Sequence, residues 1–430
     1  MKKLLIIATA VIATVACTKV TTDEATIPNH KIGFEVANYM TQTKTGETSF
    51  LTELSGLGVA AADATFTSAA YIHAAQADGT VADPAAFFAP NPETIKWNTS
   101  TTEWEPSKDY YWPKSPKSSI DFFSWYCYEG AAPTLTYTTP FTSATLAWTN
   151  RTVAPKSDIL YADVAWQQKD NSETYQLDGV SEGVPTLFHH ALAQVKFTVK
   201  IKDDCDKKAD SKNSGYYIFW EVTLDDFAIA PSKVHKNGTL SLSITNPNST
   251  SVTAWTAPTS PAVWANAASP VYVDTEAEWF TTDAATGAAV LTTTAANLIP
   301  DSHMGSGYVA VRPQSIGNDM TLNFKMTIKT YYGTQEQFGA SNHSGCTLRS
   351  TEVIAMNDYD GTAIDTASGD LYTSTGIQLN KLGTTAITAW EMNHKYTYNL
   401  IIDPSTNTIL YDPAVEAWAA ESTGTANIPQ

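Results

Sequence analysis

Cysteine is scarce in this sequence of 430 residues, which contains 4. Apart from Cys17, the cysteines are Cys127, Cys205 and Cys346, which lie far apart and form no CxxC pair. This spacing excludes a zinc ribbon and a dithiol redox motif, and it allows at most one disulfide. The sequence therefore predicts a fold that is held by its hydrophobic core rather than by a disulfide framework.

Motifs for catalysis, phosphate binding and metal binding are also missing. No Gly-rich phosphate loop, GxSxG elbow or HExxH helix occurs. His189 and His190 are adjacent, and neighbouring side chains of a strand point to opposite faces, so these two cannot ligate one metal ion. The oxygen-rich runs Asp203–Asp206 and Asn357–Gly361 lack EF-hand spacing, so we expect solvated turns. The sequence thus predicts a protein that is not an enzyme and has no cofactor and no metal site.

Basic residues are few, with 26 Lys and Arg against 44 Asp and Glu, and the formal net charge is −18. Such a surface repels phosphates, which argues against nucleic acid as a partner. Helical periodicity is hard to find, and the period of residues 54–77 does not decide between a short helix and strands. Aromatic residues are plentiful, with 12 Trp, 20 Tyr and 15 Phe. This composition predicts an all-β protein.

The only long apolar run stands at the N-terminus. Lys2 and Lys3 precede the apolar residues 4–15, and Val15-Ala16-Cys17 ends them, which is the pattern of a lipoprotein signal peptide. We therefore expect a signal peptide at residues 1–16, lipid on Cys17 and a polar tether at residues 17–30. The alternative is an ordinary cleaved signal in which Cys17 is incidental.

Two segments with the same alternation predict the start of two domains. In residues 31–36, Ile32, Phe34 and Val36 alternate with other residues, and residues 194–199 repeat the pattern. Short strands separated by turn residues follow both segments, as in all-β domains. The sequence predicts an N-terminal domain at residues 31–183 and a C-terminal domain at residues 184–430.

The segment from residue 95 to residue 126 is dense in aromatic side chains, including Trp97, Trp104 and Trp112. Exposed aromatic rings can stack on sugars, which makes these three tryptophans candidate glycan-binding residues. The same rings can equally pack in the core and at the rim of a β-sandwich, where each buries a large area. The sequence leaves both interpretations open.

Several motifs, taken in their order along the chain, resemble those of the fimbrillin-like family. They are the lipobox at Cys17, the aromatic segment 97–112, Phe188–Phe197, Trp390–Leu400 and Val415–Trp418. The resemblance implies two tandem transthyretin-like β-sandwich domains. It also implies a type V pilus subunit that is exported to the outer membrane as a lipoprotein and exposed at the surface.

In this family a protease removes the first strand, and a strand of another subunit fills the groove that remains. Carried onto this chain, the resemblance implies that Ile32, Phe34 and Val36 belong to the removable strand and that Lys44 is the processing site. It also makes Ile409–Gln430 the candidate donor segment. The implied partners are other pilin subunits, the outer membrane through the lipid, and surface glycans or proteins. The alternative is a non-polymerising surface lipoprotein that binds glycans through exposed aromatics.

Overall fold

The computed structural model describes residues 31–38, 47–74, 85–113, 118–128, 131–137, 143–168, 183–245, 263–280, 289–304, 307–356, 377–382, 385–405 and 408–417. Nearly all the regular structure in these ranges is β-strand, and the helices are short. The prediction of an all-β fold is therefore confirmed. Cys127, Cys205 and Cys346 are free thiols.

The elements follow in chain order. The first strands and the first helix are β1 (Phe34–Asn38), α1 (Glu47–Gly56), β2 (Thr65–Ala74), β3 (Ala85–Ala86), β4 (Glu93–Asn98), β5 (Glu103–Pro106), β6 (Ser118–Tyr128), β7 (Thr134–Tyr137), β8 (Ser143–Thr152), β9 (Asp158–Ala162), β10 (Ala165–Gln168) and β11 (Val184–His190). The middle elements are β12 (Ala193–Ile201), β13 (Lys207–Ala209), β14 (Tyr216–Ile229), β15 (Asn237–Thr245), β16 (Val263–Asn266), α2 (Thr275–Glu278), β17 (Ala289–Val290), β18 (Ala296–Asn297), β19 (Tyr308–Val311) and β20 (Gln314–Ser315). The last elements are β21 (Thr321–Thr334), α3 (Gln335–Gly339), β22 (Thr347–Met356), β23 (Ile377–Gln378), β24 (Lys381–Leu382), β25 (Thr385–Ala386), β26 (Ala389–Trp390), β27 (His394–Asp403) and β28 (Thr408–Ala417).

The N-terminal sheet closes on itself. Its strand order is β10-β6-β9-β11-β1-β5-β4-β2-β3, and β6 also pairs with β2 along eight residues. The strands from β6 to β2 therefore form a ring, which has no free edge among its members. The inward side chains enclose an aromatic-rich core in which Phe34, Phe66, Phe122 and Phe188 are buried. The first described strand, β1, is one of the members of this ring.

A four-stranded sheet covers the outside of the ring at β6 and β9. Its order is β16-β15-β8-β7, and its buried residues Leu146 and Leu240 share a core cluster with Phe123, Trp125 and Tyr161. Both faces of β6 and β9 are consequently buried, since one face lines the ring and the other meets this sheet. Strands buried on both faces are largely apolar rather than alternating. The buried carboxylates of these two strands have histidine partners, at His73 for Asp121 of β6 and at His190 for Asp158 of β9.

The C-terminal half is a two-sheet sandwich. One sheet has the order β18-β12-β27-β28 with β19 beside β12, and the other has the order β13-β14-β21-β22 with β17 and β23 attached. Alternate residues of β12 and β27 face the opposite sheet, so Phe197 and Tyr398 stack at 5.0 Å within the shared core. The expected strand at residues 194–199 lies within β12.

The expected domain boundary between residues 183 and 184 falls inside the first sheet. The strand β11, at Val184–His190, pairs with β1 and β9 of that sheet. The four-stranded sheet also combines β7 and β8 with β15 and β16 from beyond residue 184. By sheet membership, the chain leaves the N-terminal ring after His190.

Candidate functional site

The first strand, β1, lies between two neighbours that it joins. It pairs in parallel with β11 along five residues, from Phe34 opposite Val184 to Asn38 opposite Phe188. On its other side Phe34 pairs with Trp104 of β5. These contacts make β1 the link that closes the ring between β11 and β5. Without it, both neighbours would present unpaired backbone groups.

The side chains of the first strand alternate as the sequence predicts. Ile32, Phe34 and Val36 are 0%, 3% and 0% exposed, so all three belong to the core of the ring. The ring of Phe34 meets Phe66 edge to face at 5.5 Å and Phe122 at 5.6 Å. Together these three side chains account for a large apolar area, so losing β1 would leave a hydrophobic groove.

Polar contacts attach the start of this segment to the β5 side of the ring. The backbone N–H of Ile32 donates to the Tyr110 carbonyl at 2.8 Å. Lys31 Nζ lies 2.8 Å from Asp109 Oδ1 and 3.2 Å from Glu105 Oε2. The hydrogen bond to Asp109 contributes most to raising the pKa of Lys31. Because these charges are exposed, they add little to stability.

Gly183 lies against the backbone of β1. Its replacement with alanine tests how closely the two backbones are packed. A Cβ atom at Gly183 would lie 2.7 Å from the Glu35 nitrogen and 2.7 Å from the Phe34 carbonyl carbon. Since backbone atoms cannot move aside as a flexible side chain can, we expect Gly183→Ala to lower the free energy of unfolding by about 1–3 kcal/mol. Urea denaturation measures this.

The control for that substitution is Gly56→Ala. A Cβ atom there meets nothing within 4 Å, and Gly56 ends α1. We expect the stability of this variant to stay within about 0.5 kcal/mol of the wild-type value. An equal loss of unfolding free energy in the two variants would contradict the close packing of β1 against Gly183.

The helix α1 fills the ring next to β1. Phe50 and Leu54 stand four residues apart on one face of the helix, Leu57 directly follows the last helical residue, and all three are buried. Phe50 stacks on Phe188 of β11, with 4.7 Å between the ring centroids. Its other ring contacts come from three further strands of the ring, at Trp104, Phe66 and Tyr126. A single helical side chain thus touches strands on both sides of β1.

A buried ion triad joins α1 to the strands. His190 Nε2 lies 2.6 Å from Glu53 Oε1 of α1, and His190 Nδ1 lies 3.1 Å from Asp158 Oδ1 of β9. Both ring nitrogens face a carboxylate, which suits an imidazolium donating two hydrogen bonds. The ligand atoms of the three residues also lie within 4.8 Å of one another, but an imidazolium that donates from both nitrogens has no lone pair for a metal ion.

Burial and charge act against each other on this triad. Burial alone would lower the pKa of His190, but the carboxylates of Glu53 and Asp158 raise it to about 10. Burial raises the pKa of Asp158, and the His190 cation opposes that change. The raised pKa of His190 favours the protonated imidazole at neutral pH, and its single positive charge offsets part of the cost of burying the two carboxylates.

The three candidate glycan-binding tryptophans do not share one exposed surface. Trp104 is 0% exposed, and its ring lies 5.5 Å from that of Trp97 across the β4–β5 hairpin. The prediction that Trp104 stacks on a sugar is therefore wrong, because the ring forms part of the core. Trp97 and Trp112 are half-buried, and both pack against the same core cluster.

The remaining predicted residues have varied positions. Cys17 and Lys44 lie outside the described residues, as does the run Asn357–Gly361. Asp203 and Asp204 form a turn, where Asp203 pairs with Lys200 at 3.0 Å. His189 contacts Asp163 at 3.0 Å, whereas His190 belongs to the buried triad, so the adjacent histidines have separate partners.

The candidate donor segment Ile409–Gln430 is only partly described. Its first part lies in β28, which pairs antiparallel with β27 along ten residues, from His394 opposite Ala417 to Asp403 opposite Thr408. Residues 418–430 lie outside the described ranges. The described part of this segment is therefore a strand at the edge of its own sandwich.

Glu53, Asp158 and Phe50 are site residues that the sequence interpretation missed. The spacing of Phe50, Leu54 and Leu57 was the available signal for α1, whereas the period of residues 54–77 does not decide between a helix and strands. No local pattern indicates the triad, since its members stand in three separate segments. Only the closure of the ring brings them together.

Solved structures of fimbrial proteins are among those that this chain is similar to. A fimbrial protein from Bacteroides vulgatus is 15% identical with a TM-score of 0.50, and the alignment covers 91% of this chain and 100% of that one. A C-terminally truncated tip fimbrial protein from Porphyromonas gingivalis is 10% identical with a TM-score of 0.26, covering 83% of this chain and 96% of that one. No curated protein sequence matches this chain. At such identities the first likeness shows the fold alone.

The sequence profile of the fimbrillin-like family matches residues 60–418. That range includes most of the N-terminal ring, the four-stranded sheet and both sheets of the C-terminal sandwich. None of the helices in the described part of the chain has the length and apolar character that crossing a bilayer requires. The chain belongs to the fimbrillin-like family, which makes it a surface protein of the pilus and adhesion type rather than a member of an enzyme family.

Proposed function

We propose that this protein is a structural and adhesive subunit of a type V pilus. It is exported as a lipoprotein on Cys17, processed after Lys44 and assembled by exchange of its first strand for a strand of another subunit. The observation that carries this proposal is that β1, the first described strand of the chain, is one of the strands that close the ring. Family membership supports the role in a pilus.

Strand exchange is driven by the unfavourable free energy of the ring once β1 has been removed. The neighbours β11 and β5 would lose their backbone partners, and the space of Ile32, Phe34 and Val36 would open to water. Both changes are unfavourable, because unpaired strand edges and exposed apolar surface each raise the free energy. An incoming strand restores both kinds of contact, which is the driving force for β-strand addition.

Processing decides what the lipid on Cys17 does. Lys44 stands in residues 39–46, between β1 and α1. A cut after Lys44 removes the lipid and β1 together, so the lipid serves only for delivery to the outer membrane. Without the cut, Cys17 keeps the subunit at the membrane as an anchor.

Limited trypsin digestion tests this proposal. We expect cleavage after Lys44, detected as a new N-terminus at Thr45, and then an SDS-resistant complex when a synthetic peptide of residues 31–38 is added to the cut protein. The matched control is Lys44→Gln, which we expect to take up no peptide under the same digestion. A wild-type product that stays uncut, or one that is cut and takes up no strand, would contradict assembly by strand exchange.

The second candidate function is glycan binding by a non-polymerising lipoprotein. The burial of Trp104 removes one of its three candidate residues. Trp97 and Trp112 retain partial exposure, so retention on a polysaccharide column that Trp112→Ala abolishes would favour this function. Strand exchange is the better supported of the two, because the position of β1 bears on it directly.

A further inference from the structure

This inference concerns the partner strand, and it rests on the proposed function. We call the space that Ile32, Phe34 and Val36 occupy, between β11 and β5, the β1 groove. We propose that the vacated β1 groove selects a strand with Ile or Val, then an aromatic residue, then Ile or Val at alternate positions. We also propose that such a strand comes from a different polypeptide rather than from residues 408–430 of a second copy.

The aromatic preference comes from the walls of the middle position. Phe34 meets Phe66 of β2 at an interplanar angle of 81° and Phe122 of β6 at 84°, so both contacts are edge to face. Neither wall residue belongs to the segment that leaves. Edge-to-face pairs are favourable beyond the area that they bury, so an aromatic ring fills this position better than an aliphatic side chain.

The wall residues are themselves held in place by other rings. Phe66 contacts Phe188 at 5.3 Å, Trp104 at 5.3 Å and Phe50 at 6.3 Å. All of these belong to strands or to α1, and they lie on the C-terminal side of Lys44. The middle position therefore keeps its shape when β1 is exchanged, because close-packed aromatic neighbours limit relaxation.

The outer positions require compact side chains. Ile32 and Val36 are both fully buried, and each is β-branched. A β-branched side chain has few rotamers in a strand, so it loses little conformational freedom when the groove encloses it. Charged residues at these positions would be buried without a partner, which opposes binding.

Backbone contacts in the groove are independent of sequence. The Val184 N–H donates to the Gly33 carbonyl at 2.8 Å, and the Ile32 N–H donates to the Tyr110 carbonyl at 2.8 Å. Any extended segment can supply such groups, so the main chain provides affinity and the alternate side chains provide selectivity. The pattern of Ile or Val, aromatic residue, Ile or Val is the same in both chain directions. A partner strand can therefore match the groove in either orientation.

The C-terminal residues of this chain fit the pattern poorly. Around Tyr411, Ile409 lies two residues before, but Pro413 lies two residues after and has no N–H. Around Trp418, the corresponding positions hold Glu416 and Ala420. In addition, β28 already pairs with β27 along ten residues, and it would have to give up those pairs.

Fluorescence anisotropy with labelled peptides tests the selection. The protein is cut after Lys44, and the released segment is removed. The probes are a peptide of residues 31–38, its Phe34→Ala version, its Gly33→Ala version and a peptide of residues 408–417. The Gly33→Ala peptide is the matched control, because a Cβ atom there meets only the Trp104 carbonyl at an ordinary 3.8 Å.

We expect the native and Gly33→Ala peptides to bind alike and the Phe34→Ala peptide to bind about 100-fold more weakly. We expect the 408–417 peptide to bind at least as weakly as the Phe34→Ala peptide. Equal binding of the native and Phe34→Ala peptides, or tight binding of the 408–417 peptide, would overturn this inference and leave strand exchange standing. Failure of all four peptides to bind would overturn the proposed function itself.

A second measurement applies if the cut protein does not stay folded. In the uncut chain, Phe34→Leu and Phe34→Ala should lower the urea midpoint of unfolding, with the larger loss for alanine. Both losses should exceed that of Gly33→Ala. If Phe34→Leu matches the wild type, the middle position has no aromatic preference and the inference fails.

Discussion

Replacing His190 with alanine is expected to lower the free energy of unfolding by about 3–5 kcal/mol. The imidazolium lies 2.6 Å from Glu53 Oε1 and 3.1 Å from Asp158 Oδ1, and all three groups are largely buried. The substitution leaves two carboxylates without the cation that joins them. It also removes the ion pair between α1 and β11, because Glu53 belongs to the helix. Urea denaturation followed by tryptophan fluorescence measures the loss.

The control for His190→Ala is a variant in which the whole triad is neutral, namely Glu53→Gln, Asp158→Asn and His190→Gln together. Neutral groups of similar shape can hydrogen-bond without burying charge, so this triple variant should lose much less stability than the single one. If the triple variant loses as much or more, the loss in His190→Ala arises from packing rather than from uncompensated charge.

The triad also predicts a dependence of stability on pH. The pKa of His190 is raised from its usual value near 6.5 to about 10, so its stabilising contribution is complete below pH 6.5 and lost as the pH rises through 10. Between these limits the folded state binds one more proton than the unfolded state. The free energy of unfolding should therefore fall by about 1.4 kcal/mol per pH unit from this group. The neutral triple variant should lack this slope between pH 7 and pH 9.5.

Replacing Phe50 with alanine is expected to lower the free energy of unfolding by about 3–5 kcal/mol as well. The side chain is 0% exposed, and its ring contacts aromatic residues of β2, β5, β6 and β11. Removing it leaves a cavity that cannot collapse easily, because its walls belong to four paired strands. Urea denaturation measures this effect too.

Tyr111→Ala is the control for Phe50→Ala. Tyr111 is 45% exposed, so we expect the truncation of its ring to change the free energy of unfolding by about 0.5 kcal/mol or less. A similar loss in both variants would contradict the role of Phe50 as the centre of the N-terminal core. Hydrogen exchange in α1 gives an independent readout, since Phe50→Ala should weaken the attachment of the helix.

Local alternation predicted the first strand well. Ile32, Phe34 and Val36 are inward-facing residues in the structure, as a period of two requires. The helix α1 was harder to predict, because it has only ten residues and follows a polar stretch. Trp104 shows the limit of the same reasoning. The aromatic segment indicated strands with large side chains, but its sequence does not predict that the Trp104 side chain points into the core of the N-terminal ring.

The closure of the ring and the triad depend on residues far apart in the chain. β1 pairs with β11, about 150 residues later, and β6 pairs with β2 across the intervening hairpin. Glu53, Asp158 and His190 come from α1, β9 and β11. Sequence alternation identifies which residues share one face of a strand, but it does not say which strand lies beside which.

Composition and periodicity alone determine that this chain is all-β, that it lacks the motifs of catalysis and that its first segment alternates as a half-buried strand. Each of these properties is local, because strand propensity and side-chain alternation depend on near neighbours. The tertiary structure alone decides that β1 closes a ring, that Trp104 is buried and that His190 lies between two carboxylates. Those properties depend on long-range strand pairing, which is settled by the packing of the whole core.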